Sequence, residues 1–181
     1  MKKIVLFAAI LSCITLASKA QVASTATQTV NLNLSNAIEL TFTGSSTATG
    51  AAVNLAFNTV NDYANGVQSS AQELKVRSNK KFGVTVKTNN TNFSYTGTTT
   101  PAPVMPVSGV LGLKVSANGT GGTIAGTFAA YTSLSSTVAN LISNGNNGGN
   151  QTFSVMYNAT PGFAYPAGTY TVDVVYTATQ L

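Results

Sequence analysis

Histidine and tryptophan are absent from this 181-residue chain, cysteine occurs once, and charged residues make up only 7% of it. Each absence removes a class of chemistry. Without imidazole there is no Ser-His-Asp triad, no Cys-His nucleophile pair and no haem held by histidine, and one thiol cannot build a zinc site of the usual nitrogen and sulfur kind. A single cysteine also makes no disulfide within the chain, and five prolines leave little room for a proline-rich linker. No cofactor is expected. What is abundant is uncharged: 44% of residues are hydrophobic and 16 are glycine, with many Asn, Thr and Ser between them.

The first twenty residues have the pattern of an export signal. Lys2 and Lys3 precede an apolar run from Ile4 to Ala17, and Ser18-Lys19-Ala20 places small residues where a signal peptidase reads. Cleavage between Ala20 and Gln21 is expected. The run is too short for a membrane span, which needs roughly 18 apolar residues. The competing reading, a lipoprotein cut before Cys13, meets Leu11 where a small residue is wanted. Export would remove Lys2, Lys3 and Lys19 of the nine cations, so six remain against four acids and the net charge falls from +5 to +2. The only cysteine would leave too. Residues 21–181 are expected to form one domain, large enough to need no disulfide.

Period-two alternation dominates that domain. Val30-Leu32-Leu34, Ile38-Leu40-Phe42, Val53-Leu55-Phe57, Leu74-Val76, Phe82-Val84-Val86, Phe93-Tyr95, Leu111-Leu113-Val115, Phe153-Val155-Tyr157 and Tyr170-Val172-Val174-Tyr176 each alternate with mostly polar or small residues. Turn-rich stretches separate them. The pattern predicts an all-β fold, an antiparallel, Ig-like β-sandwich of about nine strands, because no helix-length segments alternate with the strands as a parallel sheet would require. One segment departs from it: Leu134, Val138, Leu141 and Ile142 fall at helical spacing, with Ser133 as N-cap and Gly145 as stop. One short helix is expected there.

Several apparent motifs do not hold their chemistry. Ser78-Asn79-Lys80-Lys81 matches the S-x-x-K of penicillin-binding enzymes, but that motif opens a helix and this one joins two strands. The four acids outside the signal, Glu39, Asp62, Glu73 and Asp173, are scattered singly rather than paired for glycoside hydrolysis. Asn61-Asp62-Tyr63-Ala64-Asn65-Gly66 resembles the start of a calcium loop but has no carboxylate at its twelfth position, so a polar turn is expected. No metal site and no catalytic residue is assigned.

The most informative cluster is basic. Lys75, Arg77, Lys80, Lys81 and Lys87 fall within thirteen residues. A hairpin with a three-residue loop, Ser78 to Lys80, would keep every apolar residue on the core face and set Arg77 opposite Lys81. Lys75, Arg77, Lys81 and Lys87 would then form a positive strip, either a solubilising face or a contact for an anionic surface.

Leu74-Lys75-Val76-Arg77-Ser78, Phe82-Gly83-Val84-Thr85-Val86, Phe93 and the ending Ala167-Gly168-Thr169-Tyr170-Thr171 through Val175-Tyr176-Thr177-Ala178 carry a resemblance. Together they resemble the exported WxL-type surface domains, and the ending is similar to the last strand of spore-coat-U and archaic fimbrial subunits. Carried over by position, the two W-x-L triplets are Phe82-Gly83-Val84 and Tyr176-Thr177-Ala178, with other aromatics in place of tryptophan. The resemblance marks Phe82, Val84, Tyr170 and Tyr176 as motif positions. It implies a secreted β-sandwich without enzyme activity, the first family contacting peptidoglycan and the second polymerising by strand exchange.

These readings converge on an exported protein, periplasmic, at the cell surface or extracellular. The leading expectation is a non-enzymatic envelope-binding or adhesion module whose partner is envelope polysaccharide or peptidoglycan. The alternative is a self-assembling fimbrial or coat-type subunit using strand exchange. Neither a nucleic-acid partner nor a transmembrane segment is expected.

Overall fold

The computed structural model describes residues 22–181; the expected cleavage site at Ala20 and Gln21 lies outside them. Ser35–Leu181 is one compact unit, and residues 22–34 precede it as a separate segment without regular secondary structure. The unit is all-β with antiparallel pairing throughout, twelve strands and one short α-helix. No helix among the described residues is long and apolar enough to cross a membrane.

Two sheets face each other. The first runs β1 (Ile38–Phe42), β3 (Gln72–Ser78), β10 (Gly148–Ala159), β6 (Leu111–Asn118), β8 (Thr132–Ser133), with β2 (Val67–Gln68) paired to the end of β10. The second runs β12 (Val174–Gln180), β4 (Phe82–Thr88), β9 (Ala139–Gly145), β7 (Thr123–Ile124). A two-stranded ribbon of β5 (Ser94–Thr96) and β11 (Thr169–Thr171) stands apart from both. The core is the product of alternation: Leu74, Val76, Leu113, Phe153 and Val155 from the first sheet meet Phe82, Val84, Val86, Leu141 and Ile142 from the second, all buried. At ~1.5 to 3 kcal/mol for each large side chain removed from water, these rows are the main stabilising term.

The expected β3–β4 hairpin does not form. β3 pairs with β1 and β10, while β4 pairs with β12 and β9, so Asn79 to Lys81 carries the chain from one sheet to the other. Ser78 shapes this crossing, its hydroxyl donating to the Lys80 carbonyl at 2.7 Å and accepting from the Lys80 amide at 3.2 Å. Alternation is satisfied whether two strands pair side by side or face each other across the core. The crossing also avoids setting Arg77 against Lys81.

The helix expected from Leu134 to Ile142 is replaced by an irregular stretch and β9. Leu141 and Ile142 are both buried although adjacent, because the pairing of β4 with β9 shifts register between Ile142 and Asn140. A bulge of this kind turns two neighbouring side chains inward and so imitates helical spacing. The helix, α1 (Val60–Asn65), lies instead where a polar turn was expected. Thr59 and Asp62 make it: the Thr59 hydroxyl accepts from the Asp62 amide, and the Asp62 carboxylate accepts from the amides of Asn58 and Thr59.

Two expected strands are absent. Val53, Leu55 and Phe57 lie in a stretch without regular structure, although Leu55 and Phe57 still pack against the core. Val30, Leu32 and Leu34 form no strand and are 72%, 80% and 88% exposed. The C-terminal alternation from Tyr170 is divided into β11 and β12 at Val172-Asp173. β2, β7 and β8, two residues each, are too short to show any period.

Candidate functional site

The inward-facing row of residues is complete in the middle of the sandwich and incomplete along one side. β1 ends the first sheet and β12 ends the second, and the two edges adjoin: the rings of Phe42 and Tyr176 meet edge to face at 6.2 Å, and the Gln180 side chain donates to the Ala37 carbonyl at 2.8 Å. Leu40 and Phe42 of β1 pair with Val76 and Leu74 and so face inward, as do Val174, Tyr176 and Ala178 of β12. All five are only partly buried, whereas the residues they flank on β3 and β4 are buried. The sandwich has an open seam between these edges.

The backbone of β12 is also uncovered on its outer side. No described strand pairs there, and its seven residues, Val-Val-Tyr-Thr-Ala-Thr-Gln, carry no charge. Natural sheets usually defend an edge with charge, proline or a bulge. This edge has none of the three. β1 differs, since Glu39 lies on it and Phe42 bridges to Thr47.

The chain enters this seam at a fixed point. The Ala37 amide donates to the Asn79 side-chain oxygen at 3.0 Å, the Asn79 side-chain nitrogen donates to the Ser35 carbonyl at 2.8 Å, and Gln180 donates to both Ala37 and Asn79. Ser35 to Ala37 is thus held by the crossing at Asn79 and by the end of β12. Residues 30–34, with their three exposed apolar side chains at strand spacing, immediately precede Ser35 in the chain.

Beside the seam, Tyr157 of β10 and Tyr176 of β12 join the sheets through their hydroxyls at 2.7 Å. Burial pushes both phenols above their ordinary value. The shift is the larger at Tyr176, where charge on Tyr157 and the hydrogen bond to it add to burial. Both groups stay protonated at neutral pH and act as a neutral clasp.

The other expected positions are distributed. Lys75 and Arg77 point outward from the first sheet, and Arg77 pairs with Glu39 at 3.5 Å with both side chains more than half exposed. Lys87 points outward from the second sheet, and Lys81 lies in the crossing before β4. The continuous positive strip expected from a hairpin is therefore split between two faces. Phe82 and Val84 are buried on β4, Tyr176 is at the seam, and Tyr170 lies on the β5–β11 ribbon, so these four motif positions do not converge on one surface.

The acids are placed in structural roles or apart. Glu39 pairs with Arg77, Asp62 caps α1, and Asp173 accepts from the Asn89 side chain at 2.8 Å. Backbone hydrogen bonds from Thr59 and Asn58 hold the Asp62 carboxyl below its ordinary value. No three potential metal-ligating side chains gather among the described residues. Ser78 of the S-x-x-K sequence spends its hydroxyl on Lys80 backbone atoms and on Gln180 rather than on a lysine ammonium.

A scan against family models and a search of curated proteins both find no match to this chain.

Proposed function

We propose that this protein is a non-enzymatic, exported structural subunit of the cell surface that assembles by lending residues 30–34 of one copy to the open seam of the next. The observation that carries this reading is the exposure of Val30, Leu32 and Leu34 in a segment whose alternation is that of a strand. The exposed segment and the uncovered edge have matching needs. Five residues of extended chain span about 17 Å, within the roughly 23 Å of seven-residue β12. Three apolar side chains two apart would all enter the seam beside Val174, Tyr176 and Ala178, while Asn31 and Asn33 faced outward. Burying them is worth ~4 to 9 kcal/mol, of the same order as the ~4 to 15 kcal/mol that association costs, so backbone ladder bonds to β12 are needed for a stable assembly.

The non-catalytic reading is supported by the acids, three of which already have partners within the chain: Glu39 with Arg77, Asp62 in the cap of α1 and Asp173 with Asn89. The binding-module reading, in which the protein acts as a monomeric adhesin on envelope polysaccharide or peptidoglycan, loses support from the division of Lys75, Arg77, Lys81 and Lys87 between faces. Size-exclusion chromatography of the chain beginning at Gln21 separates the two readings. Assembly predicts oligomers that grow with concentration and disappear when Leu32→Lys places a charge in the seam, with the melting temperature of the subunit unchanged. A monomer at all concentrations, destabilised by Leu32→Lys, would return the segment to its own fold and favour the adhesin.

A further inference from the structure

At the end of the sandwich opposite Ser35 to Ala37, six aromatic rings are gathered from four separate stretches of chain. Phe57 and Tyr63 lie 5.3 Å apart, Tyr63 stacks on Phe163 at 5.6 Å and 22°, Tyr165 meets Tyr170 edge-on at 6.4 Å, and Tyr170 lies 5.0 Å from Tyr95. Tyr95 and Tyr170 are directly paired across the β5–β11 ribbon, with Ser and Thr filling its other positions. None of the six belongs to the fully buried core, and Phe163 is 67% exposed. A cluster of aromatic rings left at the surface usually marks a contact.

Two of the rings, Tyr95 and Tyr170, are held in place by hydrogen bonds before any partner arrives. The Tyr95 hydroxyl donates to the Ala167 carbonyl at 3.1 Å and accepts from the Thr99 amide at 3.2 Å, and the Tyr170 hydroxyl donates to the Pro166 carbonyl at 2.9 Å. Tyr95 lies so close to Gly97, through its hydroxyl, and to Gly168, through its ring, that a Cβ at either position would collide with it. Pro161 and Pro166 bracket the loop bearing Phe163 and Tyr165. Tyr165 packs edge-on against the fixed Tyr170, and Phe163 stacks on Tyr63, so the platform loses less freedom on binding than isolated side chains would.

The chemistry of the surroundings chooses the partner. Residues 91–107 and 160–171, which supply four of the rings, contain no charged side chain, and the one acid beside the others, Asp62, is committed to capping α1. A polyanion or an anionic bilayer would require cations here. Phenol rings offer an apolar face and a polar tip together. A pyranose presents the same combination, an apolar face of C–H groups rimmed by hydroxyls. Among the described residues the hydroxyls of Tyr63 and Tyr165 make no hydrogen bond, which leaves them free for such a rim.

We infer that this end of the protein is a contact surface for uncharged polysaccharide, with sugar rings stacking on Phe163 and Tyr165. The surface is distinct from the seam and does not depend on assembly. It lies at the end of the sandwich away from Ser35 to Ala37, so a chain of linked subunits would keep it available.

The test is tyrosine emission of the chain beginning at Gln21, which has no tryptophan to mask it, titrated with laminarin, soluble amylose and hydroxyethylcellulose, together with pull-down on insoluble cellulose and curdlan. At least one of these should bind. Phe163→Ala and Tyr165→Ala should each weaken that binding about threefold to tenfold, and Tyr165→Phe should keep most of it, with melting temperature and oligomer size unchanged in all three. Failure of every neutral polysaccharide to bind would overturn the inference, as would binding indifferent to both alanine variants. So would loss of oligomers in Phe163→Ala, or a cluster that binds phosphatidylcholine vesicles and no glycan, since these assign the rings to a second copy or to lipid. Oligomer size is read separately, so assembly and glycan contact can fail independently.

Discussion

Tyr157 and Tyr176 place their hydroxyls 2.7 Å apart between the two sheets, the only hydrogen bond among the described residues that joins β10 directly to β12. Removing one hydroxyl leaves the other without its partner in a partly buried site, at a cost of about 1 kcal/mol, whereas removing both strands neither. Chemical denaturation of Tyr157→Phe, Tyr176→Phe and the double variant should therefore show each single change destabilising and the double change costing less than their sum. Additive losses would mean that the pair is not coupled.

The same pair sets the behaviour in alkali. Both phenols ionise at higher pH in the folded protein than in the unfolded chain, where the ordinary value is 10.0. An acid whose folded pKa is raised contributes stability that is full below the unfolded pKa and is lost as pH rises beyond it. Stability should accordingly fall above about pH 10. Tyr176→Phe should make that fall shallower, as read from melting temperature between pH 8 and 11. An unchanged slope would place the alkaline sensitivity elsewhere.

Asn89 and Asp173 form a second clasp, with the Asn89 amide bonded to the Asp173 carbonyl at 3.0 Å, the Asp173 amide to the Asn89 side-chain oxygen at 3.0 Å, and the Asn89 side-chain nitrogen to the carboxylate at 2.8 Å. It sits where the last alternating segment leaves β11 and begins β12. Asn89→Ala should destabilise by about 1 kcal/mol, the ordinary net value of an exposed hydrogen-bonded contact, and should raise amide exchange at Asp173 before that of Tyr176. Equal protection at both amides would show that the clasp does not define the break.

Asp62 gives a prediction of opposite sign in pH. Its carboxyl is held below the ordinary value by the Thr59 and Asn58 backbone amides, so its contribution is present above the unfolded pKa and is lost as pH falls through the lower folded one. Asp62→Asn should fray α1 at neutral pH, seen as faster amide exchange at Asn58 and Thr59, and the wild-type protein should approach that behaviour in acid. Exchange unaffected by the substitution would remove Asp62 from the cap.

The class of fold was legible because alternation alone dictates half-buried strands, and six of the expected strands stand as β1, β3, β4, β5, β6 and β10. Pairing was not legible. Val76 and Phe82 read the same whether their strands are neighbours in one sheet or partners across the core, so the period alone does not choose between a hairpin that sets Arg77 against Lys81 and the crossing that forms. Leu141 and Ile142 misled for a different reason, since a bulge places two adjacent side chains inward as a helix would. The capping box of α1 was present in Thr59 and Asp62 but lay within a run of Asn and Gly typical of turns. The aromatic end was invisible as a cluster, because Phe57, Tyr95 and Phe163 are far apart in sequence and only the loops bring them together. Leu40, Phe42, Val174 and Tyr176 of the seam were legible as strand residues, whereas the exposure of Val30, Leu32 and Leu34 was not, because their alternation is that of a half-buried strand.

The central claim, that residues 30–34 of one copy occupy the seam of another, is tested most directly by covalent capture between two differently substituted chains. The chain from Gln21 has no cysteine, so Asn33→Cys in one preparation and Thr177→Cys in a second introduce one thiol each, both on the outward side of the proposed ladder. A neighbouring scan at Val175 and Thr179 covers the choice of register. Mixed and oxidised, the two preparations should give a disulfide-linked heterodimer in preference to either homodimer, and Leu32→Lys in the Asn33→Cys chain should abolish it. If the mixture gives no heterodimer, while a single chain carrying both cysteines closes a disulfide within itself at high dilution, the segment completes its own sandwich and the assembly account is wrong.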